Sequence, residues 1–505
     1  MARGRWVPVP QPSPALRMST AAGRGTLLAT VLASGMVFLD STVVNVALPR
    51  LGSELHATVA DLQWTVNGYM LMLAAFVLLG GSLGDRFGRR RIFLLGVIWF
   101  TAASVLCGLA QGTGWLIGAR FLQGAGGALL TPGSLSVLQA SFHPDDRGRA
   151  IGAWSGLSGV STALGPFIGG WLIDAFSWRW IFFLNLPLAV LVVLSALRWV
   201  PESRDEGASR ARVEGDRRRR FDVAGALFGA LALGGLTYAL IDATGRGFGS
   251  PPVWGSALLG LVAGVAFVLL ERHRGEAAML PTELFASRLF SVLNIFTVAV
   301  YAALGGFTFF FSVYLQNVLG WSALLTGGAL LPWTLLMLVG SARAGALSAR
   351  IGPRLPLAVG PVVAAAGLLL LRRVSPGASY WVDVLPGVLL FGAGLTLVVA
   401  PLTASVLAAA ADRFAGVASG FNNAAARAGG LLAVAALPLL VGLSGGAYQQ
   451  HGALTGAFRA AMLWCAGLLL AGALMALLLI HRPPREAPPS QPCQTLPVST
   501  PPREH

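Results

Sequence analysis

Gly81-Ser82-Leu83-Gly84-Asp85-Arg86-Phe87-Gly88-Arg89-Arg90-Arg91 separates two long apolar runs. Four arginines cannot sit in hydrocarbon, so the stretch reads as a hairpin at a membrane face. Its glycines let two helix ends approach. Asp85 can cap or pair locally, and the arginines can hold that carboxylate, helix C-termini or lipid phosphates. On its own the stretch also fits a plain positive-inside loop. A degraded second copy reads Gly345-Ala346-Leu347-Ser348-Ala349-Arg350-Ile351-Gly352-Pro353-Arg354. Gly81, Leu83, Arg86, Gly88 and Arg90 align with Gly345, Leu347, Arg350, Gly352 and Arg354, while Ala349 stands opposite Asp85. A hairpin that recurs implies two similar halves, as in membrane proteins built from parallel repeats.

Composition agrees with a polytopic membrane protein. The chain is 55% hydrophobic and 11% charged, with a mean hydropathy of +0.70, whereas soluble domains carry roughly 25% charged residues. The formal charge of +15 does not imply nucleic acid, because the basic residues, all 36 of them arginine, fall mainly in short loops between apolar runs. Cys107, Cys465 and Cys493 are far apart and form neither a metal spacing nor a disulfide framework. There is no P-loop and no zinc-protease histidine pattern, so no metal is expected. Residues 1–22 are basic and Pro-rich without an apolar core, so no secretory signal is expected, and Met18 offers an alternative start.

A spanning helix needs roughly 20 apolar residues. On that measure fourteen spans are expected, at 26–48, 62–81, 91–111, 115–139, 148–173, 179–199, 222–243, 252–271, 291–316, 323–346, 356–372, 382–407, 416–442 and 456–481. An even number puts both termini on one side, and the arginine bias makes that side cytoplasmic. The expected organisation is a cytoplasmic tail (1–25), a six-helix bundle (26–199), an Arg-rich linker (200–221), two extra helices (222–271), a second linker (272–290), a second six-helix bundle (291–481) and a Pro-rich disordered tail (482–505). Arg217 to Arg220 in the first linker serve as a topology anchor or an anionic-lipid contact.

Two charges stand out inside spans. Asp40 lies near the middle of the first, at a cost of a few kcal/mol on insertion scales, so it must face the protein interior or a water cavity. It reads as a proton-carrying or cation-binding carboxylate, or as a structural hydrogen-bonding group. Arg120 lies about a turn and a half into the fourth span. An arginine stays charged, so it needs a carboxylate, carbonyls or water, or it snorkels to the outer face. Gln123 lies one turn on, on the same side. The fifth span carries Gly156, Gly159, Gly165-Pro166 and Gly169-Gly170; Pro166 removes a backbone hydrogen bond, and the cluster reads as a gate or hinge, or as tight packing. Gln63, Asn67, Gln123, Asn422, Asn423 and Arg427 are the remaining polar groups able to line a cavity.

Together these stretches resemble the major facilitator superfamily, and more narrowly its fourteen-span drug:proton antiporters. The hairpin of Gly81, Gly84, Asp85, Arg86, Gly88, Arg89 and Arg90 is similar to the signature loop between the second and third helices. Leu39 to Pro49 resembles the first-helix motif, Arg120 to Gly127 the fourth-helix motif, and Gly156 to Gly170 the fifth-helix motif associated with exporters. Trp178 to Pro187 also looks typical of the group. The resemblance implies an all-α major facilitator fold with two six-helix bundles and two extra central helices, in the cytoplasmic membrane. It implies proton-coupled efflux of a small amphipathic organic compound, with resistance as the outcome. Asp40 would be the protonatable group and Arg120 would tune it, with protons as coupling ion and no other cofactor. Membrane lipids are the expected surroundings, no nucleic acid or enzymatic activity is expected, and the chain is expected to be monomeric. A dedicated exporter of one metabolite or self-made antibiotic, and a non-transporting sensor on the same scaffold, are the alternatives.

Overall fold

The computed structural model describes residues 15–203, 222–275, 280–411 and 414–480. The Arg217–Arg220 run, the C-terminal tail and the first fourteen residues lie outside them. The described chain is helical: α1 (Ala21–Glu54), α2 (Val59–Phe87), α3 (Arg89–Gly108), α4 (Thr113–Ser141), α5 (Pro144–Ala175), α6 (Trp180–Trp199), α7 (Val223–Arg246), α8 (Pro251–Arg274), α9 (Arg288–Asn317), α10 (Ala323–Ile351), α11 (Arg354–Leu371), α12 (Tyr380–Ala408), α13 (Ala415–Leu440) and α14 (His451–Leu479). Several starts are written in sequence. Thr20, Thr58, Asp222, Ser287 and Ser322 cap with their side chains, and Thr58 and Asp61 close a reciprocal capping box. Twelve of these helices are long and apolar enough to cross a membrane. The 29-residue α2 and α4, which carry Gln63, Asn67, Arg120 and Gln123, are not among the twelve.

The helices pair alike in the two halves. In α1–α6 the second and third pack on the fourth, the first on the fifth and sixth, and the third on the sixth; α9–α14 repeat those pairings. The halves meet where α2 packs on α13 and α5 on α10, the second helix of each against the fifth of the other. This is the geometry of a parallel repeat with an axis between the halves. α7 and α8 stand as a pair, with α7 leaning on α2 and α13. They cross at Gly235 and Gly260, where a Cβ on Gly235 would come within 2.7 Å of the Gly260 nitrogen. At their base Arg274 pairs with the buried Asp222, and the buried Glu271 accepts from Leu280 N at 2.7 Å. Large apolar side chains on α8, such as Leu258, Leu261 and Val265, point outward, as lipid-facing residues do.

Helix edges run past the expected ones at several ends, among them Pro144 of α5 and Ile351 of α10. α1 begins at Ala21, inside the expected tail, and α8 runs to Arg274, inside the expected second linker. The departure at the hairpin is larger. Gly81 to Phe87 are not loop but the last turns of α2, and only Gly88, at φ +111°, breaks the helix before Arg89 starts α3. A helix can outrun the hydrocarbon, since its backbone stays satisfied in water or lipid. The side chain of Asp85 lies outside the described residues.

Candidate functional site

α1, α2 and α4 converge on a buried polar centre. Asp40 on α1 and Arg120 on α4 are 0% and 1% exposed and form an ion pair at 2.5 Å. Gln123 binds both: its Oε1 accepts from Arg120 Nη1 at 2.7 Å, and its Nε2 donates to the second Asp40 oxygen at 2.8 Å. Each carboxylate oxygen therefore has its own donor. Arg120 Nε–H donates to the Thr65 carbonyl at 3.0 Å, and the guanidinium lies 4.3 Å above the Tyr69 ring. Tyr69 is itself pinned to the Val37 carbonyl at 3.1 Å. Arg120 therefore does not snorkel.

The network extends through residues that carry no charge signal. Gln123 Nε2 also donates to Ser104 Oγ at 3.2 Å, Asn185 Nδ2 reaches the same oxygen at 2.9 Å, and Cys107 Sγ–H donates to Gln123 Oε1 at 3.4 Å. Sequence does not flag these, because a Ser, Thr or Cys in a helix can bond its own backbone and needs no partner elsewhere. Asn185, an amide in the Leu184-Asn185-Leu186 run, is the one whose polarity in an apolar setting is a usable signal. The site's chemistry is that of a buried carboxylate whose charge is balanced by one fixed cation. Loss or gain of a proton there changes how tightly α1 holds α4.

The other polar residues are dispersed. Gln63 donates to the Val434 and Ala435 carbonyls at 2.7 and 3.0 Å, so it joins the halves. Asn67 is 0% exposed, and neither amide atom has a partner among the described residues. Asn422 binds Asn294 Oδ1 and Thr297 Oγ1 at 3.1 and 2.7 Å, while Arg427 Nε donates to Asn423 Oδ1 at 2.8 Å.

The glycines of α5 divide in two. A methyl group placed on Gly156 or Gly159 would have nothing within 4 Å of it, so close packing does not require these two. Around and after Pro166, which α5 passes without ending, contact is intimate: a Cβ on Gly165 would meet Thr42 Oγ1 at 2.3 Å, on Gly169 Val43 Cγ2 at 1.9 Å, and on Gly170 the Ala323 carbonyl at 2.4 Å. Asp174 then caps α10 of the other half, accepting from Ala323 N and Leu324 N at 3.2 and 2.8 Å. Gln316 Nε2 reaches the Val46 carbonyl at 2.8 Å, Val59 N the Gly445 carbonyl at 2.9 Å, and Tyr448 OH the Ala57 carbonyl at 2.8 Å. These bonds between halves gather at the face away from the Gly81–Arg91 hairpin.

On the hairpin face the arginines find a partner that lies far off in sequence. Glu202, just past α6, accepts from Arg90 N at 3.2 Å and lies 3.6 Å from Arg91 Nε, and Arg89 N donates to the Ser203 carbonyl at 3.0 Å. Arg90 Nη1 donates to the Val200 carbonyl at 3.2 Å, at the end of the sixth helix. Its aligned counterpart Arg354 donates to the Leu477 carbonyl, at the end of α14, at 3.0 and 2.5 Å. Gly352, aligned with Gly88, also has positive φ, +88°.

Known proteins agree with this architecture. The sequence profile of the Major Facilitator Superfamily matches residues 30–434. The tetracenomycin C resistance and export protein of Streptomyces glaucescens is 37% identical, over 82% of this chain and 75% of its own. The puromycin resistance protein of Streptomyces alboniger is 35% identical over 90% of each. The methylenomycin A resistance protein of Bacillus subtilis is 34% identical over 86% of this chain and 91% of its own. Among solved structures, a bacterial homologue of the human lysosomal transporter Spinster, inward-facing and occupied, superposes with a TM-score of 0.64 at 17% identity, over 91% of this chain and 97% of its own. The peptide transporter POT with sulfate gives 0.62 at 14%, over 92% and 98%. The chain is a multi-pass membrane protein and belongs to the Major Facilitator Superfamily.

Proposed function

We propose that this protein exports amphipathic organic compounds across the cytoplasmic membrane in exchange for protons, and so confers resistance to them. The observation that carries the reading is the buried Asp40–Arg120–Gln123 centre. A buried ion pair is a weak stabiliser, because desolvation offsets its Coulomb attraction. It is suited to a switch, because one proton on Asp40 removes one of the two charges. In this reading α2 and α4 cross the membrane with the twelve more apolar helices, giving fourteen spans with both termini in the cytoplasm. The two extra helices stand between the six-helix halves.

The contacts between halves support a working cycle. Asp174, Gln63, Gln316 and Tyr448 fasten the outer face, and the compound is taken from the cytoplasm into the space between the halves. Protonation of Asp40 from outside, after the halves rock, releases Arg120 from α1 and resets the protein when the proton leaves inside. The intimate α1–α5 contact at Gly165 and Gly169 makes α5 follow α1, so a change at Asp40 reaches α10 through Gly170 and Asp174. Gly88, Arg90 and Glu202 latch the cytoplasmic ends of α2, α3 and α6.

Relatives named for one antibiotic stand beside one named for multidrug resistance, 35% identical over 82% of this chain, so their names favour neither a narrow nor a broad substrate range. The test is uptake into everted vesicles with an imposed pH gradient, comparing the unaltered protein with Asp40→Asn. Gradient-driven transport that the substitution abolishes is expected. Transport equal in both would remove Asp40 from the coupling, and a non-transporting sensor would move nothing in either.

A further inference from the structure

Arg427 stands apart from Arg120, the cation buried in the first half. Arg120 has its carboxylate; Arg427, midway along α13, has none among the described residues. Its hydrogen bond to Asn423 uses Nε. Among the described residues both terminal nitrogens remain for an acceptor. The side chain is partly exposed, and it lies on the face of α13 that carries Val434 toward α2. Tyr69 and Tyr301 are near enough to feel its charge.

A second residue points to the same place. Asn67 is wholly buried with neither amide atom paired among the described residues, an arrangement that native interiors avoid. It lies one turn along α2 from Gln63, on the face that Gln63 turns to α13. Two turns separate Arg427 from Val434 on that facing helix. The electrostatic balance of the interior is also lopsided. The acids mid-span in the described helices reduce to Asp40, which Arg120 neutralises; Asp61, Asp174, Asp242, Glu271 and Asp383 lie at helix ends. A cationic compound would find no free anion between the halves among the described residues, whereas an anion would find Arg427.

We infer that Arg427, with Asn423 and Asn67, forms a receptor for an anionic oxygen group, so that the compounds taken up between the halves include organic acids. The inference rests on the export reading for its meaning but not for its test. A guanidinium can hold a carboxylate through two parallel hydrogen bonds, and a neighbouring amide N–H adds a third. Arg427 needs no proton change to act, which leaves Asp40 to the coupling.

The experiment is binding to the purified full-length protein in detergent, without any gradient, followed by tryptophan fluorescence. The probes are 1-naphthoate, 1-naphthalenemethanol and 1-naphthylmethylammonium, which share a ring and differ in charge. The unaltered protein is expected to bind naphthoate about tenfold more tightly than either other probe, the size of one charge-assisted hydrogen bond. Arg427→Gln should erase that preference, and Arg427→Lys should keep part of it. Asn423→Ala should weaken naphthoate alone, which guards against a folding defect in the arginine variants. Equal binding of the three probes, or an acid preference that survives Arg427→Gln, would overturn the inference. A protein that prefers naphthoate through Arg427 yet moves no compound in vesicles would instead sink the export reading.

Discussion

Asp40 and Arg120 illustrate how far single residues can be read. Each is legible because a charge inside an apolar run is costly enough to demand a reason. Their mutual contact is not, since the two lie eighty residues apart; only the fold joins α1 to α4. Ser104 and Cys107 are illegible for the opposite reason: small polar groups cost little in a helix. The pair makes a prediction for stability. Arg120→Ala leaves the Asp40 carboxylate buried without its cation, a loss of about 3–5 kcal/mol while that charge persists. Adding Asp40→Asn to Arg120→Ala removes the stranded charge and should recover much of the loss. Thermal unfolding of the two single variants and the double, as a cycle, measures the coupling. Additive effects would show that the contact does not matter.

At the scale of elements, the glycines of the fifth helix mark it in sequence, but their separate roles emerge only in the fold. Gly165 and Gly169 admit α1 within methyl distance, while Gly156 and Gly159 face open space. A glycine records that no side chain is needed, not whether a neighbour excludes one. Gly169→Leu should therefore strongly lower the melting temperature by forcing α1 from α5, whereas Gly156→Ala should stay within about 0.5 kcal/mol of the parent. The hairpin allows a similar contrast. At Gly88 a side chain would meet both a positive φ of +111° and Glu202 Oε1 at 2.7 Å, so Gly88→Ala is expected to destabilise more than Glu202→Gln, which weakens only the latch. Equal unfolding temperatures would contradict the strain argument. The partner of the hairpin arginines escapes sequence reading because Glu202 lies in a charged linker with no periodicity to place it.

The whole molecule is the most legible scale. A five-residue alignment between two hairpins implies a repeat, and in the fold Arg90 and Arg354 grip the sixth helix of their respective halves. What sequence does not supply is the state of the halves relative to each other, because the contacts that fasten them lie between residues such as Asp174 and Leu324 with no shared pattern. That state is testable. Asp174→Cys with Leu324→Cys should cross-link readily in the resting protein and stop transport until the link is reduced. Transport undiminished by the link would mean that this face does not open.

Coupling between a compound's movement and a proton at Asp40 is the centre of the proposed cycle, and proton flux measures it most directly. Proteoliposomes holding a trapped pH indicator are given a gradient of a transported compound and no initial pH difference. Compound moving one way should drive protons the other way in the unaltered protein, with no such signal in Asp40→Asn. A compound flux that moves no protons, or a proton signal that Asp40→Asn leaves intact, would contradict it.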